Sequence, residues 1–199
     1  MKKLLIITLS LTLPLFLNAQ VKQKEVGLLF SNLDNFGLTY KTGTNKSMWR
    51  FNTLLLNGSN RIEITDSLET ESKGFGFSIQ VGHEFRTNIS DNLEFRYGAD
   101  LSFTYNSSEY DYDDKTIDNY DQISERSVYE PGFNFVVGLN YKINDHFILG
   151  AELLPSISYK TGTEKGKNSL DEYVIEKDIS GFSYGLSNSS ARLSLIYRF

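Results

Sequence analysis

Apolar and polar residues alternate strictly over several stretches of the chain. In one of these, the odd positions from Phe75 to Phe85 are mainly large and apolar, whereas the even positions from Gly74 to Arg86 carry Gly, Ser, Gln, Glu or Arg. A second stretch, from Leu93 to Tyr105, repeats the pattern with seven apolar residues in alternation. A period of two residues is typical of a β-strand with one apolar face. The chain is therefore predicted to be all-β.

The same alternation recurs along the chain and predicts eight strands. They lie near residues 24–31, 35–43, 47–58, 74–87, 92–106, 127–143, 146–161 and 188–199. Pro155 removes a backbone hydrogen-bond donor within the seventh strand, which predicts an irregularity there. Residues Phe182 to Leu186 alternate one position out of step with the last strand. The pattern leaves open whether they form a separate strand or part of one long strand with a bulge.

The connections between these strands are of two kinds. Residues 43–46, 88–91 and 144–145 form tight turns, whereas 58–73, 106–126 and 162–187 form long polar loops, and 31–34 is a short member of the second kind. Short and long connections alternate, which predicts an antiparallel up-and-down barrel. Outer-membrane barrels have short periplasmic turns and longer outside loops, so both termini are expected in the periplasm.

Large aromatic residues crowd both ends of the apolar face. Tyr40, Trp49, Phe85, Phe95, Tyr141, Phe147 and Phe199 lie near the short turns, and Phe30, Phe36, Phe75, Tyr105, Phe133 and Tyr159 lie near the loops. Aliphatic residues such as Ile79 and Val137 lie between them. Two aromatic girdles around an aliphatic band match the two interfaces of a bilayer. We therefore expect this face to contact outer-membrane lipid; a secreted, lipocalin-like ligand-binding barrel is the less favoured alternative.

The opposite face carries charged residues and many glycines. The charged residues predicted to line the lumen are Arg50, Glu84, Arg86, Glu94, Arg96, Asp100, Glu152 and Arg192. An eight-stranded barrel is only wide enough for side chains to fill its interior, and buried charges are stable only when they are paired. The sequence thus predicts a lumen plugged by ion pairs, with a narrow passive diffusion pore as the alternative.

The strand-four to strand-five hairpin allows a more specific prediction. A register in which facing residue numbers add to 178 places Glu84 opposite Glu94, which is unfavourable because like charges then face each other. A total of 180 places Glu84 opposite Arg96 and Arg86 opposite Glu94. We expect the second register.

The N-terminus and the composition restrict the class of protein. Met1-Lys2-Lys3, an apolar run over 4–17 and Ala19 predict an export signal peptide, 1–19, which leaves 20–199 as one barrel domain. The chain has no cysteine, which excludes disulfides and a lipid-anchored N-terminal Cys. The net charge of -5, without a basic patch, argues against a nucleic-acid partner.

Several segments resemble small outer-membrane β-barrel domain proteins, comparable in size to OmpA/OmpX-type barrels. They are the Lys-rich start, Asn35 to Gly43, Phe95 to Asp100 and Leu195 to Phe199. The resemblance covers the whole mature chain and implies a location in the cell outer membrane. It also implies that Tyr197 and the C-terminal Phe199 are recognised by the barrel-assembly machinery during biogenesis. The family has no single activity, so function has to be argued from sites.

The sequence contains little that points to catalysis, a cofactor or a metal. His83 falls on the lipid-side face and His146 in a tight turn, so a Ser-His-acid hydrolase is not favoured. The acidic segment Glu109 to Asp121 has Thr116 and Gln122 where a calcium-binding EF-hand needs Gly and Glu. We interpret it as a solvated surface loop, with calcium binding left open. The predicted function is a structural or surface-interaction role in which the barrel anchors loops; the sequence does not identify their partner.

Overall fold

The computed structural model describes residues 22–31, 36–65, 68–114, 121–168, 174–186 and 190–199. The predicted signal peptide, 1–19, lies outside them. The strands are β1 (Gln23–Phe30), β2 (Phe36–Gly43), β3 (Ser47–Ile64), β4 (Leu68–Asn88), β5 (Leu93–Asp114), β6 (Asp121–Lys142), β7 (Phe147–Leu153), β8 (Ser156–Asn168), β9 (Val174–Gly185) and β10 (Ala191–Arg198). Within the described ranges, no helix has the length and apolar character needed to cross a membrane.

The strands close into an antiparallel barrel. From β1 to β7, each strand pairs with its neighbour in the chain, with β6 pairing to both β7 and β8. β10 then joins β7 to β1 and completes the ring. The expected all-β, up-and-down barrel is therefore the observed fold, and β8 and β9 extend from the ring on one side.

The described residues form ten strands instead of the expected eight, because the seventh is interrupted and an additional strand, β9, lies in the connection 162–187. β7 and β8 share one register on β6 but are separated at Leu154 and Pro155. Proline has no N–H to donate to the ladder, although the Pro155 carbonyl accepts from the Phe135 amide at 2.8 Å. β9 ends at Gly185, whose φ of 120° is one that glycine adopts easily. Residues 182–185 thus belong to a strand separate from β10.

Three of the connections predicted as long loops are largely β-structure. Pairing continues outward to Ile64 opposite Glu69, to Asp113 opposite Asp121 and to Lys167 opposite Val174. Residues 66–67, 115–120, 169–173 and 187 of these connections lie outside the described residues. The alternation of apolar residues is lost here because both faces of a strand meet water, while backbone pairing needs no such pattern. The hairpins are consequently much taller than the sequence predicted.

The barrel has two different ends. At the short-turn end, Asn144 accepts backbone hydrogen bonds from His146 at 2.9 Å and Phe147 at 2.8 Å, and the Thr44 amide donates to the Ser47 carbonyl at 2.8 Å. At the opposite, long-hairpin end, β3, β4, β5, β6, β8 and β9 rise as a curved sheet. β1 and β2 already stop at the facing pair Phe30 and Phe36. The wall is therefore high on one side and low on the other.

The two faces of the ring have opposite character. Apolar side chains on the outer face are largely uncovered, including Val137 at 44% and Leu101 at 68% exposure. Aromatic rings contact one another near both ends of this face, as in Phe85 with Tyr97. Charged and polar side chains on the inner face are buried. The barrel is thus apolar outside and ionic inside.

Candidate functional site

Among the described residues, ten charged side chains are buried inside the ring, and we call them the interior cluster. They are Glu25, Lys41, Arg50, Glu84, Arg86, Glu94, Arg96, Asp100, Glu152 and Arg192. All eight lumen residues proposed from the sequence are among them. Five acids face five bases, so the charges of the cluster balance when all ten side chains are ionised.

Glu84 lies at the centre of the interior cluster and contacts four cations. Its carboxylate lies 3.0 Å from Lys41 Nζ, 3.2 Å from Arg50 Nη1 and 3.4 Å from Arg96 Nη1. Arg86 also donates to it through Nε at 2.7 Å. These partners come from β2, β3, β4 and β5, so one carboxylate connects four neighbouring strands.

Glu152 connects the opposite side of the ring to the same bases. Its carboxylate lies 3.0 Å from Arg50 Nη2, 3.1 Å from Arg96 Nη2 and 4.0 Å from Arg192 Nη1. Arg50 Nε in turn lies 3.2 Å from Asp100 Oδ1. Arg50 therefore contacts three different carboxylates and spans the interior from β3 to β7.

A second group of ion pairs lies toward the short-turn end. Arg86 donates two hydrogen bonds to Glu25, at 2.8 and 2.7 Å, and Arg198 Nη2 lies 2.8 Å from the same carboxylate. Glu94 lies 2.8 Å from Lys142 Nζ. Arg198 and Lys142 keep 14% and 21% of their side-chain surface exposed, so they form the rim of the cluster.

Sequence reasoning missed Glu25 and Lys41 although a signal for both existed. Each alternates with apolar residues that face outward, Val26 beside Glu25 and Tyr40 beside Lys41. The apolar runs of the first two strands are short, so the alternation there is a weak signal for the polar face. Following alternate positions along both strands places Glu25 and Lys41 on the face that lines the lumen.

The expected register of the β4–β5 hairpin is wrong. The structure pairs Arg86 with Arg96 and Glu84 with Gly98, so facing residue numbers add to 182 instead of 180. The facing arginines do not stand alone, because both contact Glu84. Charge is compensated across the interior, and Lys41 and Arg50 contribute from other strands. Charge complementarity between directly facing residues therefore does not determine the register of the β4–β5 hairpin.

Glycines make room for the largest of these side chains. A Cβ atom added at Gly138 would lie 3.0 Å from Arg96 Nε, and one added at Gly150 would lie 3.2 Å from Arg96 Nη2. These distances are shorter than ordinary van der Waals contact. The Arg96 guanidinium thus lies against a wall without side chains. This agrees with the Gly-rich inner face.

Apolar side chains fill part of the interior, which the sequence analysis did not anticipate. Met48, Ile148 and Ile196 are fully buried on the inner face, at 0% exposure. They lie among the ion pairs at the short-turn end, because Met48 faces Glu84 in the β3–β4 register and Ile148 faces Lys142 in the β6–β7 register. The interior is therefore filled by apolar packing as well as by charge.

A cavity of about 350 Å³ lies on the inner face at the long-hairpin end, and we call it the vestibule. The side chains that give it chemical character are Ser59, Asn106, Ser108, Arg126, Glu130 and Lys160. Lys160 Nζ lies 3.8 Å from Glu130 Oε2, and Ser158 donates a hydrogen bond to Glu130. Nearer the ring, Thr104 donates to Ser78 at 2.9 Å. A layer of hydroxyl groups thus lies between the vestibule and the interior cluster.

The histidines do not form a catalytic arrangement among the described residues. His83 Nε2 lies 3.0 Å from Ser47 Oγ, and its ring packs edge-on against Trp49 and near Phe85. No described carboxylate hydrogen-bonds the other ring nitrogen, as a Ser-His-acid triad requires. In the part of the chain that is described, no three His, Cys, Asp or Glu side chains group as a metal site would need.

The C-terminal aromatic residues lie on the outer face at the short-turn end. Tyr197 stacks on His146 with ring centroids 5.6 Å apart. The Phe199 amide donates to the Lys24 carbonyl at 3.1 Å, and the Phe199 side chain remains 60% exposed. Recognition of Tyr197 and Phe199 by the assembly machinery stays a prediction.

Comparison with solved structures finds several chains of similar fold. A major outer membrane protein from Thermus thermophilus has a TM-score of 0.53 and 11% identity, over 90% of this chain and 100% of that chain. Ail, the attachment invasion locus protein of Yersinia pestis, has a TM-score of 0.37 and 13% identity, over 89% and 97%. CarO of Acinetobacter baumannii has a TM-score of 0.34 and 10% identity, over 89% and 96%.

No family model and no curated protein match the chain. At 11% identity, the likeness to the Thermus protein shows a shared fold and nothing about activity.

Proposed function

We propose that this chain is an outer-membrane β-barrel protein with a plugged lumen, both termini in the periplasm and a tall sheet of hairpins outside the cell. In this role the barrel anchors a contact surface and conducts no solute. The proposal includes no catalysis. The molecule that the outer surface contacts is not named by the fold.

The distribution of side chains supports the membrane location. A soluble ligand-binding barrel needs an apolar interior and a hydrated exterior, whereas this barrel has the reverse. Soluble monomers rarely expose apolar patches larger than a few hundred Å². Here the apolar band runs around the ring through half-exposed residues such as Phe51, Val81, Leu101 and Val137. Lipid is the partner that fits such a band.

The burial of the interior cluster is the observation that supports the proposal that no solute passes through the lumen. Its ten side chains come from β1, β2, β3, β4, β5, β7 and β10, which are seven of the strands in the ring. Arg50 and Glu152 are 1% exposed and join across the interior at 3.0 Å. A narrow diffusion pore would need a hydrated path at this level. The pore remains the alternative, and the ion pairs argue against it.

Cell fractionation and a permeability assay test the two halves of this proposal. We expect the expressed protein to stay with outer membranes after an alkaline wash and to migrate differently on gels when folded and when boiled. Liposomes that contain the folded protein should swell in small sugars no faster than empty liposomes. Release by the wash would overturn the membrane location, and rapid swelling would overturn the plug.

A further inference from the structure

The vestibule is a cup that opens outward. Gly74, Gly76, Asn106 and Ser108 lie on β4 and β5, and Arg126, Glu130 and Lys160 lie beside them on the neighbouring strands β6 and β8. Toward the ring, the hydroxyl layer and the interior cluster close its base. A ligand therefore reaches the vestibule from the long-hairpin end, where the wall formed by β1 and β2 is low.

Among the described residues, Arg126 has no ion-pair partner, unlike Lys160, the other cation that lines the vestibule. Arg126 is exposed and forms no ion pair with any described residue, Glu164 included, although Glu164 faces it in the register of β6 and β8. The neighbouring Lys160 pairs loosely with Glu130, at 3.8 Å. Outside the vestibule, Lys165 pairs with Glu176 at 3.4 Å. The vestibule consequently holds two basic side chains and one acidic one.

On the strand next to β5, glycine keeps the surface beside Arg126 flat: Gly74 faces Ser108, which in turn faces Arg126. A Cβ atom added at Gly76 would lie 2.5 Å from Asn106 Oδ1, and one added at Gly74 would lie 2.9 Å from Ser59 Oγ. Val128, at 8% exposure, supplies an apolar surface between Arg126 and Glu130 on β6. The cup thus combines a cationic side, a flat apolar surface and several neutral hydrogen-bonding groups.

We propose that the vestibule binds one acidic, sugar-sized ligand that carries a carboxylate or phosphate group and several hydroxyls. The Arg126 guanidinium presents paired N–H donors that match a carboxylate or phosphate, and Lys160 adds a second charge. Glu130, Asn106 and Ser108 can exchange hydrogen bonds with hydroxyl groups. A volume of about 350 Å³ lies at the small end of ligand pockets and suits one sugar ring.

The same chemistry has two sources at a cell surface. It occurs in the phosphorylated sugars of a lipopolysaccharide headgroup and in free acidic sugars. The inference rests on the proposed function, because that function places the vestibule outside the cell.

Calorimetric titration of the full barrel, folded in detergent, tests the inference. The probes are glucose 1-phosphate, glucuronate and uncharged glucose. We expect the two charged probes to bind at least about tenfold more tightly than glucose, since a charge-assisted pair contributes more than a neutral hydrogen bond. Equal affinity for the three probes, or no binding of any, would overturn the proposal.

Variants separate the vestibule from general surface charge. Arg126→Gln should weaken the binding of glucose 1-phosphate by about tenfold or more. Lys165→Gln removes a paired cation on the outer face and should leave this affinity unchanged. Gly76→Val should block the cup. If Gly76→Val fails to fold on a heat-modifiability gel, Arg126→Gln alone decides. An unchanged affinity in folded Arg126→Gln sinks the proposal.

A second arm distinguishes the two sources. The protein is reconstituted in phosphatidylcholine liposomes with or without lipopolysaccharide, and glucose 1-phosphate is then added. Loss of binding when lipopolysaccharide is present means that its headgroup already occupies the site, and unchanged binding means a free ligand. Neither arm measures conduction or fractionation, so failure here leaves the plugged barrel standing, and a conducting barrel leaves the binding result readable.

Discussion

The interior cluster and the vestibule lie on the same inner face but have opposite properties. On β5, Glu94, Arg96 and Asp100 are buried in ion pairs, whereas Asn106 and Ser108, further along the same face, line an open cavity. The difference in burial between the two regions follows from the number of strands that surround each of them. The ring is closed around the cluster, but β1 and β2 stop at Phe30 and Phe36, so water reaches the vestibule. The same inner face thus forms the buried interior cluster where the ring is complete and the open vestibule where the ring is incomplete.

The largest effect is expected for Glu84→Gln. The substitution leaves four cations around a neutral amide, and breaking a buried ion pair from one side costs about 3 to 5 kcal/mol. Arg96→Ala should cost less, because Glu84 keeps Lys41, Arg50 and Arg86. The free energy of unfolding in urea, followed by gel mobility, measures both.

Glu63→Gln is the control for Glu84→Gln. Glu63 pairs with Arg61 in the tall hairpins, where the two side chains are 59% and 76% exposed. A surface pair of this kind contributes about 0 to 1 kcal/mol. Similar decreases in the free energy of unfolding for Glu63→Gln and Glu84→Gln would contradict the distinction between the buried interior cluster and the hydrated hairpins.

The next effect concerns the outer face. Val137→Arg places a charge in the apolar band and should cost about 2 to 4 kcal/mol, as found near a bilayer midplane. Ile62→Arg is the matched control, since Ile62 is 55% exposed on the same outer face but lies in the hairpin region. The free energies of unfolding of the two variants are compared in lipid bilayers. A cost for Ile62→Arg as large as that for Val137→Arg would contradict the assigned band.

A smaller effect is expected from crowding the interior cluster. A side chain at Gly150 would collide with Ser194 and press on Arg96, whereas a Cβ atom at Gly166 meets nothing within 4 Å. Gly150→Val should therefore cost about 1 to 3 kcal/mol, as overpacking does, and Gly166→Val should cost almost nothing. The urea midpoints of the two folded variants provide the measurement. Equal midpoints would mean that the inner wall has spare room.

Two cysteine substitutions that should not change the stability test the orientation of the barrel in the membrane. Single cysteines replace Lys167 in a tall hairpin and Asn45 in a short turn, and a membrane-impermeant thiol reagent is applied to intact cells. We expect the cysteine at 167 to react and the one at 45 to be protected until the cells are broken. Reaction at 45 in intact cells would place the vestibule on the periplasmic side.

The sequence predicted the barrel and its two faces well, and for a physical reason. A strand between lipid and a packed interior has to alternate, so Val81 and Glu84 or Val137 and Gly138 reveal their sides from parity alone. The tall hairpins were missed because hydrated strands such as Ser107 to Asp113 need no alternation.

The contacts inside the barrel were harder to predict than its faces. Glu84 contacts residues of several strands, and a local sequence pattern does not specify which side chains meet across a lumen. The vestibule was missed for the same reason, since Arg126 and Asn106 come together only through the register of β5 and β6.

Single-channel recording in planar bilayers tests the sealed interior most directly. The unmodified protein should give no steady channels, because the interior cluster fills the ring. Arg96→Ala should give small, steady channels, since Gly138 and Gly150 beside the lost guanidinium have no side chain to fill the space. Arg61→Ala, the same change at an exposed arginine outside the ring, should remain silent. Large, steady channels from the unmodified protein, unchanged in Arg96→Ala, would contradict the plug and identify the barrel as a pore.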